Sequence, residues 1–213
     1  VRIPIARGGF GFILPPLLLA AAFAAAGIVW IAAGFLLLSG FLIQFFRDPD
    51  RPVPGDENLV LSPADGTILS IGEAAPGEAP EDLPRKIVIF MSVFNCHVNR
   101  SPASATIVSY SYTPGKKLAA FSPKASAENE QNRIELRAGD RHLIFKQIAG
   151  ALARRIVFRK RAGDRVALGE RVGMIRFGSR VDLFLPASAR VDTAVGDRVK
   201  AGLTALARWG ESA

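Results

Sequence analysis

Apolar and polar positions divide this chain into two regimes. Residues 8–46 form a 39-residue run without one Asp, Glu, Lys, Arg or His, while the remainder alternates short apolar stretches with polar, glycine and proline positions. A bilayer core takes about 20 helical residues, so the uncharged run is about two crossings long. Pro15-Pro16, Gly27, Gly34 and Ser39-Gly40 punctuate it. The pattern predicts two helical segments, 13–26 and 28–46, joined around Gly27. Two full spans and a hairpin dipping into one leaflet both fit, and both return the chain to its starting side. Arg2 and Arg7 precede the run and Arg47 and Arg51 follow it, which puts both ends in the cytoplasm by the positive-inside tendency. A cleaved signal peptide fits poorly, since its apolar core would be roughly 7–15 residues.

Beyond residue 46 the pattern shortens to strand length. Strands are predicted at 58–61, 67–71, 86–92, 106–112, 133–138, 142–148, 156–158, 173–177 and 181–185, with Gly and Pro turns between them. The 74–84 segment, rich in Pro, Ala, Gly and Glu, reads as a loose exposed loop. Short helical turns are expected near 149–154 and 204–209. One motif repeats: Gly163-Asp164-Arg165-Val166 returns 33 residues later as Gly196-Asp197-Arg198-Val199, each followed by a second glycine and an apolar run. Gly-Asp starts a tight turn and the valine enters a strand. Two such units facing each other resemble the half-repeats of lipoyl- and biotinyl-carrier-like β-sandwiches. The expected fold class is therefore mainly β (α+β), such a sandwich behind an apolar helical membrane hairpin, with domains at 1–46 and 47–213.

Charge sharpens this division. The 213 residues are 49% hydrophobic and 22% charged, but all 19 acidic residues and 25 of the 27 basic ones fall from Arg47 onward, a net +6 there. Such a domain suits anionic lipid surfaces, where each nearby basic residue contributes about 1 kcal/mol. Nucleic acid is not an expected partner: basic residues cluster only at Arg154-Arg155 and Arg159-Lys160-Arg161, with no recognised motif. A lone cysteine, Cys96, excludes an intrachain disulfide and a cysteine-based zinc cluster, and no metal is expected.

Candidate chemistry centres on Gly178-Ser179. By itself, Gly-Ser between apolar runs makes a hairpin turn. The chemical reading uses a glycine carbonyl open to attack and a serine hydroxyl placed to attack it. That gives an N→O acyl shift, an ester, and elimination to a new N-terminal carbonyl group, and it requires a base. The chain has two histidines. His97 lies among polar side chains where a strand-like run ends at Pro102, and His142, mid-strand beside Arg141, reads as a surface residue. Asp65 sits in the turn Ser62-Pro63-Ala64-Asp65-Gly66-Thr67, where Asp ordinarily caps.

Together, five segments in order resemble the short form of phosphatidylserine decarboxylase. They are Phe45-Phe46-Arg47-Asp48-Pro49, Ser62-Pro63-Ala64-Asp65-Gly66, His97-Val98-Asn99-Arg100-Ser101-Pro102, Gln147-Ile148-Ala149-Gly150 through Ala153-Arg154-Arg155-Ile156, and Phe177-Gly178-Ser179-Arg180-Val181-Asp182. The resemblance implies a self-processing enzyme cut between Gly178 and Ser179 into a β-subunit, 1–178, and an α-subunit, 179–213. Ser179 would become a covalent pyruvoyl group whose ketone forms a Schiff base with the substrate amine. Loss of CO2 then gives phosphatidylethanolamine. Asp65 would orient the base or raise its basicity, and His97 is the histidine of the site. Arg100 stands where longer members resemble a second histidine. Either His97 serves both maturation and decarboxylation, or another group is the maturation base, because Arg100 stays protonated. Arg100 and Asn99 would instead meet the substrate, as would Lys116, Lys117 and the Asn-Glu stretch at 124–133. The resemblance also implies a phospholipid substrate held in the bilayer, a homo-oligomer of the processed pair, and a place on the cytoplasmic face of a bacterial inner membrane. The rivals are a decarboxylase of an ether-lipid phosphoserine, a membrane-anchored non-enzymatic lipoyl- or biotinyl-like module, and a tethered serine hydrolase using Ser179. The module would need a lysine where Ser179-Arg180 stand, and the hydrolase would lack a Gly-x-Ser-x-Gly elbow.

Overall fold

A computed structural model describes residues 3–116, 118–119, 125–150, 155–176 and 179–210. The chain divides into two compact units, Val1–Asp50 and Arg51–Ala213.

The first unit is a helical hairpin. A 3-10 turn, Arg7–Gly9, leads into α1 (Phe10–Ala25), and α2 (Val29–Phe45) returns. Gly27 makes the bend at φ +76°, a conformation that costs glycine little. Pro15 and Pro16 sit inside α1 rather than ahead of it. The hairpin ends are tied together: Ala6 N–H donates to Phe46 O at 2.8 Å and Asp48 N–H to Pro4 O at 2.8 Å. Gly9 permits this closure, since a Cβ there would lie 2.6 Å from the Phe46 Cβ. Arg7–Ala25 is long and apolar enough to cross a membrane by length and composition, with a mean hydropathy of 1.8. Much of the hairpin's apolar surface is uncovered within the unit, Trp30 being 91% exposed.

The second unit is antiparallel β. In chain order its strands are β1 (Leu59–Leu61), β2 (Gly66–Glu73), β3 (Arg85–Met91), β4 (Val98–Arg100), β5 (Ala105–Thr113), β6 (Gln131–Ala138), β7 (Arg141–Ala149), β8 (Arg155–Phe158), β9 (Arg165–Val166), β10 (Arg171–Arg176), β11 (Ser179–Leu185), β12 (Arg190–Val191), β13 (Arg198–Val199) and β14 (Ala205–Arg208). A short helical turn, α3 (Ala125–Glu128), precedes β6. Eight strands form one sheet in the order β13-β2-β3-β11-β7-β6-β5-β9, flanked by three-stranded sheets β1-β14-β12 and β4-β10-β8. All nine strands expected from the pattern are present, most of them longer than predicted. β9 and β13 are the strands that the Gly-Asp-Arg-Val valines were expected to enter, and those missed, β4, β12 and β14, have two to four residues, too few to show an alternation. The 204–209 stretch, expected as a helical turn, pairs as β14 with β1 and β12. At the other expected turn, Ala149 closes β7, and residues 151–154 lie outside the described ones.

The Gly-Asp-Arg-Val echo is a true structural repeat. Gly163 and Gly196 both sit at φ 93°, and Gly169 and Gly202 follow at φ 70° and 69°. Ile107 and Gly163 exchange backbone bonds with the Asp164 turn as Ile68 and Gly196 do with the Asp197 turn. Each valine then pairs at the outer rim of the large sheet, β9 on β5 and β13 on β2. The match extends upstream. Ser62-Pro63-Ala64 and Ser101-Pro102-Ala103 make the same turn, with Ser Oγ donating to the Ala carbonyl at 2.6 and 2.7 Å. Two halves thus face each other across the β11–β7 pair. One is continuous from β4 to β10, and the other joins β1–β3 to β11–β14. Their inner faces supply Ile87, Ile89, Phe145, Ile134, Val181 and Leu183 to a single core, each contributing about 1.5–3 kcal/mol by burial.

Two expectations are corrected here. The 74–84 segment is not loose: Ala74 N–H bonds Pro84 O at 2.7 Å, and Leu83 is fully buried with Ile144 and Phe184. An apolar residue near the end of a polar loop fastens it to the outer sheet face. His142 is not on the surface either. It is buried, with Nδ1 2.6 Å from Asp82 and Nε2 3.0 Å from Glu135.

Candidate active site

β11 is central in the large sheet and buried along its whole length. Its first residue, Ser179, pairs with Met91 of β3 on one side and Ala149 of β7 on the other. Side chains alternate along a strand, so Ser179 shares its face with the core residues Val181 and Leu183, while Arg180 and Asp182 take the opposite face. Gly178, the expected partner of Ser179 in chemistry, lies outside the described residues, as does Lys117.

Ser179 is fully buried, and its hydroxyl donates to the Met91 thioether at 3.2 Å. Sulfur is a weak acceptor, so this contact orients the hydroxyl without removing its proton. Behind Met91 runs a chain of buried amides. Asn99 Nδ2 lies 3.9 Å from Met91 Sδ and donates to Pro63 O at 3.3 Å. Gln147 Nε2 donates to Asn99 Oδ1 at 2.8 Å, Asn132 Nδ2 to Gln147 Oε1 at 3.2 Å, and Tyr110 to Asn132 Oδ1 at 3.2 Å. The donors of Tyr110, Asn132 and Gln147 all point toward Asn99, the serine end of the chain. Gly173 makes room for this network, because a Cβ there would lie 3.1 Å from Gln147 Nε2 and 2.4 Å from the Val157 carbonyl oxygen.

His97 is fully buried just before β4, with Nδ1 3.0 Å from the Asn95 carbonyl oxygen. Its own carbonyl accepts the Ile175 N–H at 3.3 Å, so it flanks β10, the strand that leads to residues 177 and 178. The Asp65 turn adjoins β4, the strand that follows His97: Arg100 N–H and the Asn99 amide both donate to Pro63 O. Gly66 lets this turn approach β3, since a Cβ there would lie 2.1 Å from Phe90 O. The Asp65 turn, the His97 strand and the Ser179 strand therefore meet through Asn99 and Met91.

The charged groups have firm partners of their own. Asp65 is held by Arg51 Nη1 and Nη2 at 2.6 and 2.9 Å and by the Ala201 N–H at 2.8 Å. Arg100 is 4% exposed and donates from Nη1 to the Gly169 carbonyl at 3.0 Å. Lys116 is exposed and paired with Glu128 at 2.9 Å, which raises its pKa. Within the 124–133 stretch, buried Asn129 is the structural residue. It donates to the Leu118 and Ala149 carbonyls at 2.9 and 2.6 Å, bracing the β7 end opposite Ser179. Among the described residues no group of three or more His, Cys, Asp or Glu is placed to hold a metal ion.

Sequence reasoning named Ser179, His97, Asp65 and Asn99 but missed Met91, Asn132 and Arg51 as their neighbours. Gln147 was visible only as part of a motif. The signal for the amide chain was polar residues at inward positions of strands, Asn132 in β6 and Gln147 in β7. For Met91 there was none.

Comparison with known proteins identifies the family. Residues 38–207 match the family model described as phosphatidylserine decarboxylase. A phosphatidylserine decarboxylase proenzyme of Ralstonia nicotianae is 47% identical over 185 residues, covering 86% of this chain and 85% of the relative. Those of Geotalea uraniireducens and Burkholderia mallei are 42% and 44% identical over 204 and 208 residues, covering 95% and 97% of this chain and 95% and 96% of the relatives.

Proposed function

The chain belongs to the phosphatidylserine decarboxylase family, and from that premise we propose that it converts phosphatidylserine to phosphatidylethanolamine and CO2 after cleaving itself between Gly178 and Ser179. The observation that carries this reading is Ser179 itself, a fully buried serine at the head of the central strand with its hydroxyl on a weak acceptor.

In maturation the Ser179 oxygen bonds to the Gly178 carbonyl carbon as the C–N bond between the two residues breaks, leaving an ester and a free amine. Loss of the Ser179 α-proton expels the Gly178 carboxylate. Water then replaces the nitrogen, releasing ammonia and leaving a pyruvoyl group at the new N-terminus. His97 is the base of this sequence, and Asp65 supports it through the shared turn and strand. The residues fit the group: it is built from Ser179's own atoms, in a site closed to bulk water and lined by amide donors. Once formed, it supplies the electron sink that decarboxylation requires. His97 then delivers a proton to the carbon that has lost CO2. Asn99 faces the headgroup from the end of the amide chain, Lys116 and Lys117 approach anionic lipid from the surface, and Arg100 serves the Gly169 turn.

The cleavage point falls where the chain passes from one structural half back into the other. The β4–β10 half stays in one subunit, and the second half is shared by both, so each sheet pairing of β11 becomes an intersubunit contact. The two matched halves support a sandwich of the lipoyl- and biotinyl-carrier type. The apolar hairpin is the membrane element. Its helices of 16 and 17 residues are about 24–26 Å long against a hydrocarbon core of about 30 Å. With its ends bonded to each other it enters and leaves on one face, and the positive-inside tendency of the flanking arginines supports the cytoplasmic face of a bacterial inner membrane as that face.

Intact-mass analysis of purified protein tests this. Two species are expected, 1–178 and 179–213, the smaller reactive toward carbonyl reagents and closed to Edman sequencing. Ser179→Ala should leave one uncut chain. An intact wild-type chain with activity, or a normally cut Ser179→Ala chain, would overturn the reading.

A further inference from the structure

On the sheet face turned away from the Ser179 side chain, the 74–84 segment covers a cavity of about 450 Å³, lined by Gly77, Glu78, Lys86, Ser126, Gln131 and Lys146 among others. That volume lies within the range of about 300–1,000 Å³ usual for small-molecule sites. The charges beside it are unevenly matched. Asp182, fully buried, is met by Arg180 Nε at 2.5 Å, Ser126 Oγ at 2.8 Å and Lys86 at 3.2 Å. The Glu78 carboxylate is paired with Lys86 and accepts the Ala75 N–H at 3.2 Å.

Lys146 is less closely matched. It is 7% exposed, donates to the Glu78 backbone carbonyl at 2.9 Å, and lies 5.0 Å from the Phe184 ring centroid. No carboxylate forms an ion pair with it among the described residues. Burial holds its ammonium below the usual range, with Glu78 and Asp182 opposing. A buried ammonium with carboxylates only at longer range is costly unless something else helps to neutralise it, and this one lines an open cavity beside the Gln131 amide.

We propose that the cavity under the 74–84 segment binds a phosphate-type anion, with Lys146 as its principal charge and Lys86 and Gln131 as supporting donors. Charge-assisted bonds from such a set suit an oxyanion with several acceptor oxygens. The site goes beyond the chemistry proposed at Ser179. Asp182 lies three residues along β11 from Ser179, about 10 Å, and on the other face. Inorganic phosphate and the phosphodiester of an anionic lipid headgroup share the required chemistry.

Lysine acetylation of the full chain in detergent, read by mass spectrometry, tests the proposal. Millimolar inorganic phosphate should slow modification of Lys146 several-fold and leave exposed Lys116 and Lys200 unchanged. Protection by phosphatidylglycerol vesicles without protection by free phosphate assigns the lipid as source and keeps the site. Protection by neither, or equal protection by phosphatidylcholine vesicles, overturns it. In calorimetry with phosphate, Lys146→Met should weaken binding about tenfold or more, as loss of a charged hydrogen bond implies, while Lys146→Arg retains it. Unchanged affinity in Lys146→Met refutes the assignment. Should Lys146→Met fail to fold, Glu78→Gln decides, because removing that negative charge should tighten binding and weaker binding would contradict the proposal. The uncut Ser179→Ala chain should behave as wild type here, so failure of self-processing leaves this test intact.

Discussion

Asp65 and Ser104 hold the same post in the two halves of the fold: Asp65 Oδ1 accepts the Ala201 N–H at 2.8 Å, and Ser104 Oγ accepts the Leu168 N–H at 2.9 Å. Each backbone donor stands one residue before a glycine with φ near 70°, Gly202 or Gly169. Part of what Asp65 does is therefore turn architecture, which a hydroxyl does equally well in the other half. What sets Asp65 apart is its two-pronged ion pair with Arg51, with side chains only 10% and 7% exposed.

Removing one member of a buried pair strands the other charge and costs about 3–5 kcal/mol. Arg51→Met should destabilise the chain by about that much in urea denaturation. The double variant Arg51→Met/Asp65→Ser should recover more than half of the loss, because the serine restores the Ala201 bond and no charge is left buried. A single Arg51→Met costing under about 1 kcal/mol would show that the pair is solvated. Should the double variant fold yet mature slowly, the role proposed for Asp65 in self-cleavage gains direct support.

Legibility in the sequence followed element length. Nine strands of the second unit were visible because each carried an apolar run bounded by Gly or Pro. Two of the two-residue strands, β9 and β13, became readable only through the Gly-Asp-Arg-Val echo, which reported a turn geometry rather than an alternation, and β12 carried no such signal. The candidate site was legible where its chemistry needs a particular residue type, as with Ser179 and His97. It was not legible where ordinary residues act by position. Met91 reads as core, Arg51 reads as one more juxtamembrane cation, and Leu83 gave no hint that its loop is fastened down.

The amide chain yields a second prediction. Gln147→Leu leaves Asn99 Oδ1 and the Asn132 amide buried without their partner, at about 1–3 kcal/mol for each group. A loss of about 2–4 kcal/mol is expected, together with slower processing at Ser179 as Asn99 and Met91 lose their register. Gln147→Glu, which keeps the acceptor and the shape, should restore less than half, because it removes the donor to Asn99. A stability change within about 0.5 kcal/mol for Gln147→Leu would mean that water fills the gap.

Acid sensitivity follows from Asp82. Its hydrogen bond to His142, 2.6 Å away, holds its carboxyl below the usual 3.8 despite some opposing burial. A depressed folded pKa gives stability that is complete above the unfolded value and is lost as pH falls through the folded one. The effect therefore lies below about pH 4. Since the carboxylate is 58% exposed, screening limits it to under about 1 kcal/mol. Asp82→Asn should flatten the acid limb of the stability curve below pH 4 while leaving its slope above pH 5 unchanged. An altered slope only above pH 5 would place the effect on another group.

Gly196 and Gly202 separate backbone strain from crowding. Both lie at positive φ, 93° and 69°, but a Cβ on Gly196 meets nothing within 4 Å, whereas one on Gly202 would lie 2.7 Å from Arg100 Cδ. Gly196→Ala should cost about 1–2 kcal/mol, the price of a left-handed conformation for a residue with a Cβ. Gly202→Ala adds displacement of a buried arginine that is bonded to Gly169, so it should cost at least about 1 kcal/mol more, as overpacking does. The pair also probes the repeat. Gly163→Ala, at the same φ and equally open, should match Gly196→Ala within about 0.5 kcal/mol. Urea midpoints of the three variants check this, and a Gly163→Ala loss as large as that of Gly202→Ala would break the equivalence of the two halves.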